Sequence, residues 1–301
     1  MTSFKNNLIL RASVLKAIRS FFEYRGFLEV ETPLRIPANA PEEHIEPYRS
    51  GELYLHTSPE ICMKRLLCRG YDKIFQICRC WRSGERGNRH VPEFTMLEWY
   101  RANSSYQDLM NDCEELLLHV SETCCDTKSI LHKSGTITLD QGVITISVSE
   151  AFEKFSNVSM EDAVRDGSFD ERMVNQIEPA LLLNKPVLLK DYPIEMAALA
   201  RPKSQNPAVA ERFELYAGGM ELANGFSELN DPLEQRERFH LANQKRVKAG
   251  FSPLPMPEPF LQELGLMPPS AGIALGVDRL VMLFADTERI DDVLAFTPEQ
   301  L

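Results

Sequence analysis

Phe75-Gln-Ile-Cys-Arg-Cys-Trp-Arg82, followed after a polar loop by Glu93-Phe-Thr-Met-Leu-Glu-Trp-Tyr-Arg101, is the stretch that decides the fold. Its aromatic and β-branched content predicts strands over Lys73 to Trp81 and Phe94 to Arg101, and Gly84 and Gly87 in the intervening loop close them into a long hairpin. A hairpin commits the centre of the sheet to antiparallel pairing.

Outward from it, Leu10, Val14, Ala17 and Phe21 recur at helical spacing between Asn7 and Gly26, and Gly26 is placed to end that helix in a left-handed cap. A strand over Phe27 to Glu31 runs into Pro33. Residues 38–50 read as a loop, and short alternation follows from Leu53 to His56. Thr57-Ser-Pro-Glu60 marks a helix start, with Ser58 as N-cap, Pro59 at the first helical position and Ile61 to Cys68 as the body. A further helix from about Tyr106 to Val120 presents Leu109, Cys113, Leu116, Leu117 and Val120 on one face.

Between Thr136 and Met196 the pattern weakens to β-branched runs at 136–148, a helix near 150–156 and an apolar stretch from Pro186 to Tyr192. Strand patterns return at Glu211 to Tyr216 and Glu221 to Leu229. Asp231, Pro232 and Glu234 then form an Asp-x-x-Glu capping box, and Gly250 ends the helix it starts. A Pro-rich link, 252–259, leads to a short helix, and Gly272 to Val277 reads as a buried strand giving way to a helix from Asp278. The class is α+β, an antiparallel sheet flanked by helices.

At 301 residues and 44% hydrophobic, the chain supports one large domain or two modest ones. It has no run near the roughly 18 apolar residues of a membrane span. Met1-Thr-Ser-Phe-Lys-Asn-Asn7 lacks the apolar core of a secretory signal, so no membrane association and a cytoplasmic address are expected. The seven cysteines lack C-x-x-C spacing and are expected to be reduced and mostly buried, and the scattered histidines argue against a transition-metal site. A net charge of -11 disfavours a broad grip on nucleic acid. Within 79–89, however, Arg79, Arg82, Arg86 and Arg89 face only Glu85, a balance suited to a small polyanion such as ATP.

Neither G-x-x-x-x-G-K-[ST] nor G-x-G-x-x-G after a strand is present, so a nucleotide must be held otherwise. Arginines on a hairpin can do this, because a planar guanidinium offers forked donors to phosphate and stacks on aromatic rings. In Glu221-Leu-Ala-Asn-Gly-Phe-Ser-Glu228, strict alternation puts Glu221 on one face and Leu222, Asn224 and Glu228 on the other. A bulge at Gly225 would bring the carboxylates together to suit Mg²⁺ beside a triphosphate; without one they read as surface acids. In Gly272-Ile-Ala-Leu-Gly-Val-Asp-Arg279, Arg279 opposes a helix dipole and either faces an anion or pairs with Asp278 or a neighbouring acid.

Together these segments resemble the catalytic core of the class II aminoacyl-tRNA synthetases, in their lysyl branch. Gly26-Phe-Leu-Glu-Val-Glu-Thr-Pro33 is similar to motif 1, Phe75 to Arg101 to motif 2 and Gly272 to Arg279 to motif 3, in family order over nearly the whole chain. Because the motif 1 helix begins within the first ten residues, the resemblance is closest to stand-alone paralogues that lack an N-terminal OB anticodon-binding domain. A single catalytic domain over 1–301 is therefore expected. Ala274, where lysyl-tRNA synthetases carry Gly, agrees with that branch.

The resemblance implies ATP and Mg²⁺ as cofactors, lysine or (R)-β-lysine as the activated amino acid, a lysine of elongation factor P as acceptor in place of tRNA, and a homodimer formed through the motif 1 region. It implies that Arg82 binds the α-phosphate and Arg279 the γ-phosphate, that Phe94 stacks on adenine, and that Ser83, Gly84, Glu85, His90, Val91, Leu222 and Gly276 complete the nucleotide site. Glu221 and Glu228 would hold Mg²⁺ or the substrate amine. Ser58, Pro59, Glu60, Glu98, Tyr100, Asn224 and Ala274 would line the amino-acid pocket.

Two positions depart from the family. Arg82-Ser-Gly-Glu85 stands where it reads Arg-Asn-Glu, leaving Glu85 as the candidate carboxylate, and Val91 replaces the Asn of His-Asn-Pro-Glu-Phe. The rival readings are an enzyme that still charges tRNA and a weakly catalytic regulatory paralogue.

Overall fold

The computed structural model describes residues 2–133, 135–181 and 184–301. Its main sheet contains β1 (Leu28–Glu29), β2 (Lys73–Trp81), β3 (Glu93–Ala102), β4 (Ile144–Ser147), β5 (Val187–Lys190), β6 (Arg212–Ala217), β7 (Met220–Ser227) and β8 (Ser270–Gly276). The order across the sheet is β1-β2-β3-β8-β7-β6-β5-β4. From β2 through β5 every pairing is antiparallel, as the hairpin requires. The outermost pairs, β1 with β2 and β4 with β5, are parallel, so the expected antiparallel sheet is mixed at both edges. Each parallel pair is joined by a long connection carrying helices, the kind of crossover that parallel strands need.

Alternation along β3 sends Leu97 and Trp99 to one face and Glu98 and Tyr100 to the other. On the first face, α1 (Thr2–Tyr24), α3 (Tyr106–Cys125) and α6 (Val277–Phe284) bring Val14, Phe21, Leu109, Leu116 and Leu280 into the largest apolar core. On the second, Ile61 and Leu67 of α2 (Glu60–Cys68), Phe239 of α5 (Pro232–Lys248) and Phe260 of the short helix Glu258–Glu263 pack against Ile74 and Tyr100. No helix among the described residues is long and apolar enough to cross a membrane.

Gly26 ends α1 as its position predicts. Gly26 N–H donates to Glu23 O at 3.0 Å and Phe27 N–H to Phe22 O at 3.0 Å, the two bonds of a Schellman cap. Only half of the expected capping box forms on α5: Asp231 accepts from Leu233 and Glu234 N–H, but the Glu234 carboxylate turns to Arg238, 2.5 Å away and one turn on. The run at 136–148 divides, with Gly135–Thr138 pairing Ser129–His132 as a separate hairpin while β4 joins the main sheet. The helix near 150–156 is α4 (Val148–Phe155). Two short helices beyond it, Met160–Asp166 and Phe169–Arg172, are too brief for periodicity to reveal.

The bulge in β7 lies at Leu222 instead of Gly225, since Leu215 pairs with Ala223 and Tyr216 with Glu221, leaving Leu222 as the extra residue. Gly225 remains in the flat ladder, where Phe213 Cε1 and Ile273 Cβ press within 2.8 and 2.9 Å of the place a Cβ would occupy. The bulge brings Glu221 onto the face of Asn224, Phe226 and Glu228, which strict alternation forbids.

Register then builds two rows across that face. Gln76, Glu98, Ala274, Asn224 and Glu214 form one, and Ile74, Tyr100, Gly272, Phe226 and Arg212 the next. Gly272 is obligatory in its row: a Cβ there would lie 2.2 Å from Tyr100 Cε1 and 2.4 Å from Glu228 Oε1. A Gly272→Ala protein is expected to lose about 1–3 kcal/mol of stability by overpacking, read as a lower urea midpoint at unchanged slope. An unchanged midpoint would show that the row yields without cost.

Candidate active site

The two rows floor a cavity of about 790 Å³ whose lining includes Ser58, Glu60, Glu98 and Tyr100 together with Arg82, Asn224 and Ala274. Ser58 Oγ accepts the Glu60 N–H at 3.0 Å and donates to Glu98 Oε1 at 2.5 Å, but α2 opens one residue later than expected, with Pro59 as its cap. Tyr100 donates to Glu98 Oε2 at 2.8 Å. Pro59 occupies the turn between them in helical conformation, φ -76°. Ala274 pairs with both Glu98 and Asn224, so its methyl stands between two polar side chains of the floor.

Burial pushes the Glu98 carboxyl up to about 8, the nearby Glu60 adds to the rise, and the Ser58 and Tyr100 hydroxyls oppose it. Between the ordinary carboxylate pKa and about 8, the folded protein holds a proton that the unfolded chain has released. Stability from this group is therefore fully present below the unfolded pKa and is lost as pH rises through about 8. The unliganded protein is expected to melt at progressively lower temperature from pH 5 to 8, and Glu98→Gln to flatten that slope. Equal slopes in the two proteins would rule out Glu98 as its source.

Sequence reasoning missed Lys64. It is fully buried, with Nζ 2.5 Å from Glu60 Oε1 and 2.6 Å from Glu228 Oε2. Burial pulls its pKa down, but Glu228 and Glu60 together outweigh that and raise it, so the ammonium keeps its charge. Burial lifts Glu228 to about 8 even though Lys64 opposes the rise. The available signal was the i,i+4 spacing of Glu60 and Lys64, which ordinarily marks a solvated helix face.

At the nucleotide end, the Arg82 guanidinium lies over the Phe94 ring at 5.2 Å and 3.9 Å from Glu85, and its buried Nε has no hydrogen-bond partner. A buried unsatisfied donor is costly, and a phosphate oxygen would satisfy it. Arg279 donates from Nη1 to Glu221 O at 2.9 Å and to Glu221 Oε2 at 3.1 Å, while Nη2 contacts His90 Nε2 at 2.5 Å. Burial, and then Arg279, lower the His90 pKa, which leaves an imidazole able to accept. Asp278 is engaged by Arg11 at 2.5 Å and by the Thr95 N–H at 2.8 Å, so the acid paired with Arg279 is Glu221. Gly276 sits beneath Arg279, whose Cδ is 3.7 Å from the site a Cβ would take.

Several expectations are corrected. Of the arginines at 79–89, only Arg82 lines the cavity; Arg86 is held by Glu299 at 2.7 Å and Asp291 at 3.0 Å, Arg89 donates to Gly219 O, and Arg79 lies 3.8 Å from Glu93. Val91 is buried in the main apolar core instead of facing a nucleotide, because its side chain joins the core under α1, α3 and α6. Leu222, also in that core, is the bulged residue. Glu221 and Glu228 share a face but stand roughly 20 Å apart at about 3.3 Å per strand residue, and Lys64 already holds Glu228, so they cannot share one ion. Gly84 turns the loop in the left-handed region, φ +79°, and the Ser83 N–H donates to Glu46 O at 2.7 Å. Among the cysteines only Cys80 and Cys113 are buried, whereas Cys125 is exposed.

These rows and motifs define a class II synthetase core. Residues 1–300 match the family described as tRNA synthetases class II (D, K and N), and the chain belongs to that family. Within it, the chain is 40% identical to the protein named elongation factor P–(R)-beta-lysine ligase of Edwardsiella ictaluri, over 98% of this chain and 95% of that protein. The proteins of that name from Salmonella gallinarum and Salmonella typhi are 39% and 38% identical over the same shares.

Proposed function

We propose that this chain activates lysine or (R)-β-lysine with ATP and transfers it to a lysine side chain of elongation factor P. One observation carries the reading: a single cavity is lined both by Arg82, whose Nε lacks a partner, and by Ser58, Glu60 and Glu98. The first suits a phosphate and the second an ammonium group, since a buried cation needs paired charge and hydrogen bonds. The names of the relatives supply the acceptor.

In the first step the amino-acid carboxylate attacks the α-phosphorus in line and pyrophosphate leaves, giving the aminoacyl-adenylate. Arg82 faces the α-phosphate and Arg279 the γ-phosphate, so catalysis is positioning and charge neutralisation. Phe94, stacked under Arg82, takes the adenine, with Ser83, Glu85 and His90 around the phosphates. The acceptor ε-amine then attacks the adenylate carbonyl, gives up a proton, and AMP leaves. Glu60, Glu98 and Tyr100 hold the substrate ammonium. Because Glu98 must ionise to do so, amino-acid affinity rises with pH toward about 8.

Mg²⁺ fits Glu221, a half-exposed carboxylate beside Arg279. Glu214 is already taken by Arg212, Tyr192 and Tyr216. When bound, the ion supplies further neutralisation of the phosphates. The exposed apolar residues Ile9, Tyr24, Leu28 and Leu34 on and after α1 support a homodimer through this region.

ATP–pyrophosphate exchange stimulated by lysine or β-lysine tests activation, and its absence with every amino acid tried would favour the regulatory reading. Incubation with ATP, β-lysine and either elongation factor P or tRNA then separates the acceptors. A mass increment on elongation factor P is expected, and charging of tRNA alone would overturn the proposal.

A further inference from the structure

The fold brings together three side chains that the sequence leaves scattered. His56 leaves the short strand Leu53–Leu55, and Cys78 and Cys80 share one face of β2. Their donor atoms all lie within 4.8 Å of one another. Cys78 Sγ and Cys80 Sγ are 3.9 Å apart, and Cys80 Sγ is 3.9 Å from His56 Nε2. Two sulfurs each about 2.3 Å from a tetrahedral ion stand about 3.8 Å from each other. The two separations through Cys80 are thus close to the edge length of such a tetrahedron, and the third lies within 4.8 Å. His56 and Cys80 are buried and Cys78 is partly exposed, so an ion has a way in.

The geometry points to a site for one thiophilic divalent ion of the zinc class, held by His56, Cys78 and Cys80 with a fourth position open. Two sulfurs and an imidazole nitrogen form a donor set that selects such ions over Mg²⁺. Binding has a definite cost. His56 Nε2 lies 2.7 Å from Arg79 O and donates to it, so ligation moves the ring proton to Nδ1 and gives up that bond. Both thiols release their protons as the ion binds. Once held, the ion clips the residue preceding Thr57 and Ser58 to β2, tying the start of α2 to the sheet. This is independent of the proposed reaction.

The test uses the whole chain, reduced with a phosphine and stripped of metal. Titration with Co²⁺ is expected to give one equivalent bound with a thiolate-to-cobalt charge-transfer band, displaced by Zn²⁺. Zn²⁺ is expected to raise the melting temperature of the wild-type protein. Cys80→Ser, close in shape to the native residue, and His56→Ala should each weaken Zn²⁺ binding more than about a hundredfold, beyond the tenfold to hundredfold typical of losing an outer partner. Circular dichroism verifies that both variants are folded. A paired Cys124→Ser, Cys125→Ser variant should bind as wild type does. Survival of the cobalt band in Cys80→Ser, its loss in the Cys124, Cys125 variant, or absence of the band from the wild type would each overturn the site.

Discussion

A Lys64→Met protein is expected to lose about 3–5 kcal/mol of unfolding free energy at pH 7, the usual consequence of removing one partner from a buried ion pair. Lys64 is fully buried and lies within hydrogen-bonding distance of two carboxylates, and its loss leaves Glu60 and Glu228 facing each other without a cation. Glu228, which has no exposed edge, can then avoid an unpaired buried charge only by taking up a proton, so the defect should deepen as pH rises. Adding Glu228→Gln to Lys64→Met should recover part of the loss, because it removes the carboxylate that has no exposed edge. Urea unfolding of the two single variants and the double gives the coupling as a mutant cycle. Additivity of the two substitutions would mean that Lys64 and Glu228 do not act as a pair.

The second large effect concerns Arg82. Arg82→Ala is expected to slow amino-acid-stimulated ATP–pyrophosphate exchange by about 10²–10³-fold, the scale of losing one preorganised charge donor at a transition state. Arg82→Lys should recover little, since an ammonium cannot reproduce the planar fork or the stacking on Phe94. Stability should hardly change: Glu85, its nearest carboxylate, is 3.9 Å away and partly exposed. Arg86→Ala is the informative control. It lies in the same basic cluster but is bound to Glu299 and Asp291, so exchange should stay near wild type. A comparable loss in both variants would assign the effect to the general charge of the loop instead of Arg82.

Legibility varied with the range of the interaction that decides each feature. The hairpin, the helix start to within one residue and the Gly26 cap depend on residues close in sequence, so composition and spacing revealed them. The bulge was anticipated in β7 but placed at the glycine, because Gly is the usual sign of an irregular strand. At Gly225 the missing side chain serves another need, close packing of Phe213 and Ile273. Val91 was read as a nucleotide contact from its place in a motif, yet burial against the core decides its surroundings. The four arginines at 79–89 looked equivalent until distant acids, Asp291 and Glu299, claimed Arg86.

What the sequence by itself determined is the two-residue alternation that puts Glu98 and Tyr100 on the face opposite Leu97 and Trp99, and the order of motifs that carries the family, since both are properties of contiguous residues. Tertiary structure alone decided that Leu222 is the extra residue of β7, that Lys64 stands between Glu60 and Glu228, and that His56 meets Cys78 and Cys80. Those contacts join segments far apart in the chain. They are set by strand register and by how a helix sits on a sheet, and neither is written in the spacing of neighbouring residues.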